Sequence, residues 1–490
     1  MVDPFSSIPA NTYRESERDH LKEKTGVTHS TINRLIILFD SAFQSLATPV
    51  SMAETERLAM LVHHAMDSKT RTYHTTGHVF AMCEGMNPRQ VLAALFHDLV
   101  YYQLDNGFPL HTHDMLDAIA QLEDGTFTLK PFGADDVALS LCAALFDLEP
   151  GQALPLYGGL NEFFSAVVAA RLLQPWLELA DLIAVVACIE ATIAFRKPDE
   201  KGLLAPDRLA LRVEQQYRVR CDNPAGHAPD AVRTYVNRVV ADAVKLANRD
   251  VSSFSETDPG LFLSTTWLLI EESNAPLSVA GMYTLYEYRC GLTRMDHFLR
   301  NLNPASVFHQ FQDQPSAHCM DDLRAAVRRN IAFACDFLGA KITSIAIIEA
   351  LALCTGTDGP VSMFLGDIRN PYGRPDRAED FLPPVTETKS HNGDLLRVFE
   401  RGRTLESSND LTASPVTAFM YRCLGDAGMQ SALVSARQMF DGTRSPLGFL
   451  QSLDPTMVRA LIQACGRIAV SRRDALLALE NQLHQPPGSA

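Results

Sequence analysis

Apolar residues recur at helical spacing along almost the whole chain, and almost nowhere do they alternate. INRLIILFDSAFQSL (32–46) places them three and four apart, and SMAETERLAMLVHHAM (51–66) repeats the pattern after a Pro-Val break. The same period continues through 75–86, 88–102, 112–122, 134–147, 160–173, 176–196, 207–219, 229–249 and 260–272. Such a period cannot keep one face of a strand apolar, because strand side chains change face at every residue. TFTLKPF (126–132) is the best strand candidate, and it is short. The expected class is all-α.

Helical pattern resumes in SVAGMYTLYEYRCGLTRMDHFLRNL (278–302) and in DDLRAAVRRNIAFACDFLGAKITSIAIIEALAL (321–353). The second stretch predicts either one helix buried on one side or two helices meeting at Gly339. Turn-forming Pro, Gly and Asp gather at 198–207 and 221–230, and 366–394 has the composition of a linker. A chain of 490 residues has room for several domains. The expected division is a leader over 1–54, a site-bearing domain over 55–258, a second helical region over 259–385 and a C-terminal helical region over 386–490.

With 46% hydrophobic residues the chain can bury a substantial core, and its formal charge of −15 argues against general nucleic-acid or anionic-membrane binding. The ten cysteines stand at least sixteen residues apart, so zinc-knuckle and CxxC spacings are absent and a reducing compartment is expected. The N-terminal residues do not read as a signal peptide, and apolar stretches such as LIAVVACIEATIAF (182–195) are too short to span a bilayer. The expected location is the cytoplasm.

Within this helical sequence, RTYHTTGHV (71–79) and FHDLVYY (96–102) bring three histidines close to one aspartate. His74 and His78, four apart on a helix, would project from one face. His97 and Asp98 are adjacent, so both reach one point only near a helix end or around a shared ion. Imidazole nitrogen with carboxylate oxygen suits a divalent ion such as Mn, Fe, Co, Zn or Mg. Three ligands, His78, His97 and Asp98, would leave coordination positions open for water and substrate. A buried hydrogen-bonded polar cluster is the bland alternative.

These residues resemble the predicted metal-dependent phosphohydrolases of the HD superfamily, over roughly residues 55–255. The match runs through Arg71, Tyr73, His74, His78, Phe96, His97, Asp98 and Tyr101. The resemblance implies an HD-type helical domain with an additional C-terminal helical region, and a distant aspartate that closes the metal site. Asp250, ending AVKLANRD before small residues, is the favoured carry-over, with Asp181 in LELADLIAVV the competitor. The family commonly has a histidine after a threonine in the helix here carrying IEATIAFR (189–196); this chain has Thr192 without it, which weakens the case for a second ion. His111 and His113 are the possible replacements.

The activity implied is hydrolysis of a phosphate ester, of a nucleotide or another small phosphorylated molecule. Arg71 would hold phosphate through its planar fork or equally pair with a nearby carboxylate, His74 would bind phosphate, pass a proton or merely face along its helix, and Asp98 would coordinate and orient water. Tyr73, Glu190 and Thr192 are further substrate-binding candidates, although Glu190 could equally be satisfied by an internal partner. Two other functions remain open: a non-catalytic metal-stabilised module that binds a nucleotide or a partner, and a di-iron HD-fold oxygenase, which needs about six ligands. Self-association into a homo-oligomer is a further expectation.

Overall fold

The computed structural model describes residues 29–133, 135–154, 158–221, 229–368, 374–386, 388–407 and 409–483. Most of the expected leader, most of the 221–230 joint and part of the 366–394 stretch lie outside them. The described residues are helical with one small sheet, so the chain is all-α in class. It divides into two compact units, one of Met1–Thr257 with Asn303–Arg328 and one of Asp258–Leu302 with Arg329–Ala490.

The first unit opens with α1 (Thr31–Ser45), α2 (Met52–Met66), α3 (Thr76–Cys83), α4 (Pro88–Phe96), and the short α5 (Tyr102–Asp105) and α6 (His113–Asp117). Next come strands β1 (Ala120–Glu123) and β2 (Thr126–Leu129), α7 (Val137–Phe146) and β3 (Ala153–Leu154). The unit continues with α8 (Leu160–Leu173), α9 (Leu179–Ala191), α10 (Ala205–Cys221) and α11 (Pro229–Asp250). α9 reads LADLIAVVACIEA, apolar on every side, and a helix of that kind has to be surrounded. It is: every residue from Leu182 to Ala191 is buried, and α4, α7, α8, α10 and α11 pack around it. α4 starts sharply, because Asn87 and Gln90 form a reciprocal capping box and Pro88 occupies the first helical position.

Two helical expectations fail locally. Residues 112–122 are not one helix: α6 ends at Asp117, and β1 pairs antiparallel with β2 through a turn at Asp124-Gly125. Both turn residues have positive φ, 48° and 76°, the backbone that an Asp-Gly pair adopts at a tight hairpin. β2 also pairs antiparallel with β3, in the order β1-β2-β3. Helix 88–102 is likewise broken: α4 ends at Phe96, and His97 and Asp98 lie in the turn beyond it.

The segment Asn303–Arg328 belongs to this first unit. Phe311 joins its core, and Asn248 of α11 bonds both sides of the His309 peptide, accepting from its N–H and donating to its carbonyl at 2.8 Å each.

The second unit contains α12 (Pro259–Glu272), α13 (Leu285–Asn301), α15 (Val361–Leu365), α16 (Gly393–Arg401), α17 (Pro415–Phe440), α18 (Pro446–Gln451), α19 (Pro455–Ile468) and α20 (Arg473–Leu483). α14 (Ala317–Thr355) starts in the first unit and runs unbroken through Gly339, which decides between the two expected arrangements in favour of one helix. This helix also corrects the reading that no stretch could span a bilayer. By length and composition it could, with its most apolar 18 residues at mean hydropathy 1.8 and 89% buried inside the protein. Aromatic rings of Trp267, Phe337, Phe399 and Tyr421 pack in sequence through the second unit's core. The presumed linker is partly packed as well, since Arg377 and Ala378 are buried.

Candidate metal centre

Three helix termini supply the site. His78 lies in the first turn of α3, His97 caps the C-terminus of α4 with Asp98 beside it, and Asp250 is the last residue of α11. Bonds to main-chain carbonyls hold these helices together. Gln90 of α4 donates to the Asp242 carbonyl at 2.7 Å, while Lys245 and Arg249 of α11 donate to the carbonyls of Gly85 and Glu84 after α3, at 2.7 and 3.0 Å.

At the meeting point, His97 Nε2 lies 2.9 Å from Asp98 Oδ2 and 3.7 Å from Asp250 Oδ1. His78 Nε2 lies 3.0 Å from Asp250 Oδ1 and 3.7 Å from Asp98 Oδ2. Despite that closeness, His78 Nε2, His97 Nε2 and Asp98 Oδ2 are buried without a partner in hydrogen-bond geometry. Such orphaned atoms are uncommon in a native interior and call for an explanation. Ligands about 2.1 Å from a common ion stand about 3.0 Å apart at right angles and about 3.4 Å apart at tetrahedral angles. Two of the four separations match the right-angle value and the other two, at 3.7 Å, slightly exceed the tetrahedral one, so the group is close to what one ion would need. His97 Nδ1 bonds the Ala94 carbonyl at 2.8 Å, which assigns its proton to Nδ1 and leaves the Nε2 lone pair directed at the cluster. His78, His97 and Asp98 form the one group able to hold a metal ion among the described residues, and Asp250 borders it.

Electrostatics agree. Burial disfavours a charged Asp98, yet the imidazoles of His97, His74 and His78 hold its carboxyl far below the usual carboxylate range. Asp250 is lowered to about 2 by His78 and His97 against the same burial. In return Asp98 and Asp250 overcome the effect of burial at His97 and raise its imidazole well above the ordinary value. Two anions thus draw positive charge to this point, as protons or as a cation that displaces them.

Of the two candidates for the closing aspartate, Asp250 is the one that lies against this cluster. Asp181 instead accepts from Arg89 Nε at 2.5 Å. His74 differs from expectation: it lies in the bend before α3, not on the helix, so the four-residue helical spacing does not place it. Its ring still comes 5.9 Å from that of His78 and 4.9 Å from that of Tyr101, while Tyr73 stands 5.0 Å from His78.

Arg71 requires a correction. Nε and Nη2 bond the Asp105 carboxylate at 3.1 and 2.6 Å, Nη1 bonds the Asp98 carbonyl at 2.7 Å, and Nη2 also reaches the Leu99 carbonyl at 3.3 Å. Its side chain is fully buried, so no fork remains for phosphate, and its role is to hold the His97–Asp98 turn in place. Glu190 and Thr192 are also engaged away from substrate. Glu190, 1% exposed, accepts from Arg196 and Arg212 at 2.5 and 2.6 Å, and Thr192 donates to the Ile189 carbonyl. His111 lies against His64 and the exposed His113 pairs with Asp117, and neither belongs to the metal-capable group among the described residues.

Glu162, in the first turn of α8, feels the charges of the cluster and was not singled out from the sequence. Burial, with repulsion from the Asp98 and Asp250 carboxylates, pushes its carboxyl up to about 7, while its own backbone N–H and His97 pull the other way. An acid inside the apolar run LNEFFSAVVAA was the available signal. Comparison of the chain with protein-family models, with curated proteins and with solved structures finds no match.

Proposed function

We propose that this protein is a metal-dependent phosphohydrolase of HD type, cleaving a phosphate ester of a nucleotide or another small phosphorylated molecule. The observation that carries the reading is the convergence of His78 Nε2, His97 Nε2, Asp98 Oδ2 and Asp250 Oδ1 with three of these atoms lacking partners. A divalent ion bound there would acidify a water and offset charge on phosphoryl oxygens. The remaining chemistry belongs to the chain. Asp98 and Asp250 are exposed enough, at 14% and 18% of their side chains, to meet a substrate. His74 beside Tyr101 is placed to bind a phosphate oxygen, a role Arg71 cannot fill. Glu162, with a carboxyl raised to about 7, can hold or release a proton near neutral pH. Four side chains converge among the described residues, fewer than the six or so that a di-iron oxygenase uses, which favours the hydrolytic reading.

The test is metal content and phosphate release by Mn-loaded protein offered nucleotides and generic phosphoesters. Asp250→Ala and His97→Ala should each lose the ion, measured by mass spectrometry of the metal, and lose turnover. Silence of the metal-loaded wild type across the panel, or full metal retention by both variants, rejects the proposal.

A further inference from the structure

The second unit holds a cleft of its own, enclosing about 630 Å3 of space partly open to solvent. It lies between the middle of α14, α15 and the start of α17. Apolar side chains line most of it, among them Ile345, Ile348, Val361, Leu365, Ile368 and Val416. At one end stand Lys341, Tyr288, Asp410 and Ser414. Lys341 is 93% buried, since only 7% of it is exposed.

The polar end has more donors than acceptors. The Lys341 ammonium carries three N–H groups but has one acceptor within hydrogen-bond distance among the described residues, Ser414 Oγ at 3.0 Å. Asp410 Oδ2 is 3.8 Å away, too far for a hydrogen bond, and it already accepts from Tyr288 at 3.1 Å. That same carboxylate oxygen lies 3.8 Å from Arg403 Nη1, behind the cleft. Arg403 has a fully buried side chain, and its Nε and Nη1 have no hydrogen-bond partner. Asp410 is thus the one carboxylate acting on Lys341, and Lys341 shares it with Arg403, on which Glu271 also acts. The third cation, Arg377, is matched by Glu379 at 2.6 Å and by the carbonyls of Gly366 and Asp367. Glu271 accepts from Trp267 and Ser407, and burial raises its carboxyl. A buried ammonium with unmet donors needs acceptors brought from outside.

We infer that this cleft is a binding site for a small organic monocarboxylate with an apolar body, its carboxylate on Lys341 and its hydrocarbon part along the Ile345–Ile348 wall. The lining is that of a small-molecule site, mainly apolar with a few placed polar groups. One ammonium beside Ser414 suits a two-oxygen anion; a phosphate would call for a fork of donors that Arg377 does not have free. Burial lowers the Lys341 ammonium to about 8 against the pull of Asp410, with Arg403 and Arg377 adding to the fall, as expected of a cation short of a counter-charge. The inference concerns the second unit alone and does not rest on the metal site.

The chain carries its own reporter. It has two tryptophans, and Lys341 Nζ lies 5.0 Å from the Trp267 ring. In a Trp176→Phe background, octanoate should change Trp267 fluorescence saturably, and octanol should bind about tenfold or more weakly. Lys341→Met should erase the preference for octanoate while leaving octanol binding unchanged. Ser362→Phe, at a partly exposed lining position, should weaken both, and it serves if Lys341→Met fails to fold. No saturable signal from octanoate, equal binding of octanoate and octanol, or displacement of octanoate by inorganic phosphate at equal concentration would each overturn the inference.

Discussion

Every guanidinium nitrogen of Arg71 is directed at a protein acceptor, two of which are the carbonyls of Asp98 and Leu99. Arg71→Met should therefore destabilise the protein by about 3 kcal/mol, because it leaves Asp105 buried beside no cation. Urea unfolding measures this, and a residue that only held phosphate would instead raise KM with stability intact. His309 sets a second expectation. Burial, with Arg196 adding and Glu190 opposing, lowers it to about 4. Its folded value lies below the unfolded one, so between about pH 6.5 and 4 the unfolded chain takes up the proton first. Stability should fall across that window by about 3 kcal/mol in all, and His309→Gln should flatten the slope in urea titrations at pH 7.5 and 5. The four converging residues were legible in sequence, since His78, His97 and Asp98 sit in local patterns and Asp250 ends a clear helical run. Arg71's true partners were not, because Asp105 lies 34 residues away and nothing local marks it. Glu162 was hidden for the same reason: the groups that act on it, His97, Asp98 and Asp250, are distant in sequence.

At the scale of elements, helices were readable wherever burial imposed the 3.6-residue period over two or more turns, as in Leu160–Leu173, anticipated residue for residue. Period alone failed in short pieces. β1 has four residues, three of them exposed, and carries too little pattern to separate strand from helix. The Asp124-Gly125 pair was the better signal, being local turn chemistry. α17 hides a comparable feature. At Gly425 the backbone leaves helical geometry, with φ 66° and ψ −178°, and a Cβ there would come 2.5 Å from the Ser390 carbonyl oxygen and 2.9 Å from Lys389 Cβ. Gly425→Ala should cost about 2 kcal/mol or more, combining positive-φ strain with a main-chain clash. Thermal unfolding would show it, and a neutral result would mean that the kink relaxes.

Over the whole molecule, an ion that binds only the folded chain must raise its stability by mass action. At a hundredfold excess over the dissociation constant the gain is about 2.7 kcal/mol. Chelation should lower the thermal midpoint accordingly, while Asp250→Ala should unfold alike with and without added Mn, read by calorimetry. The division into two units could not be read from composition, because the chain leaves the first unit at Asp258, re-enters it for Asn303–Arg328 and departs again inside one continuous helix. The ties among α3, α4 and α11 carry a lesson for variation in this protein. Each joins a side-chain donor to a peptide oxygen, and every amino acid brings that oxygen. Gln90, Lys245 and Arg249 therefore resist replacement, whereas Gly85 and Glu84 meet these donors through a peptide oxygen, which a different residue there would still bring.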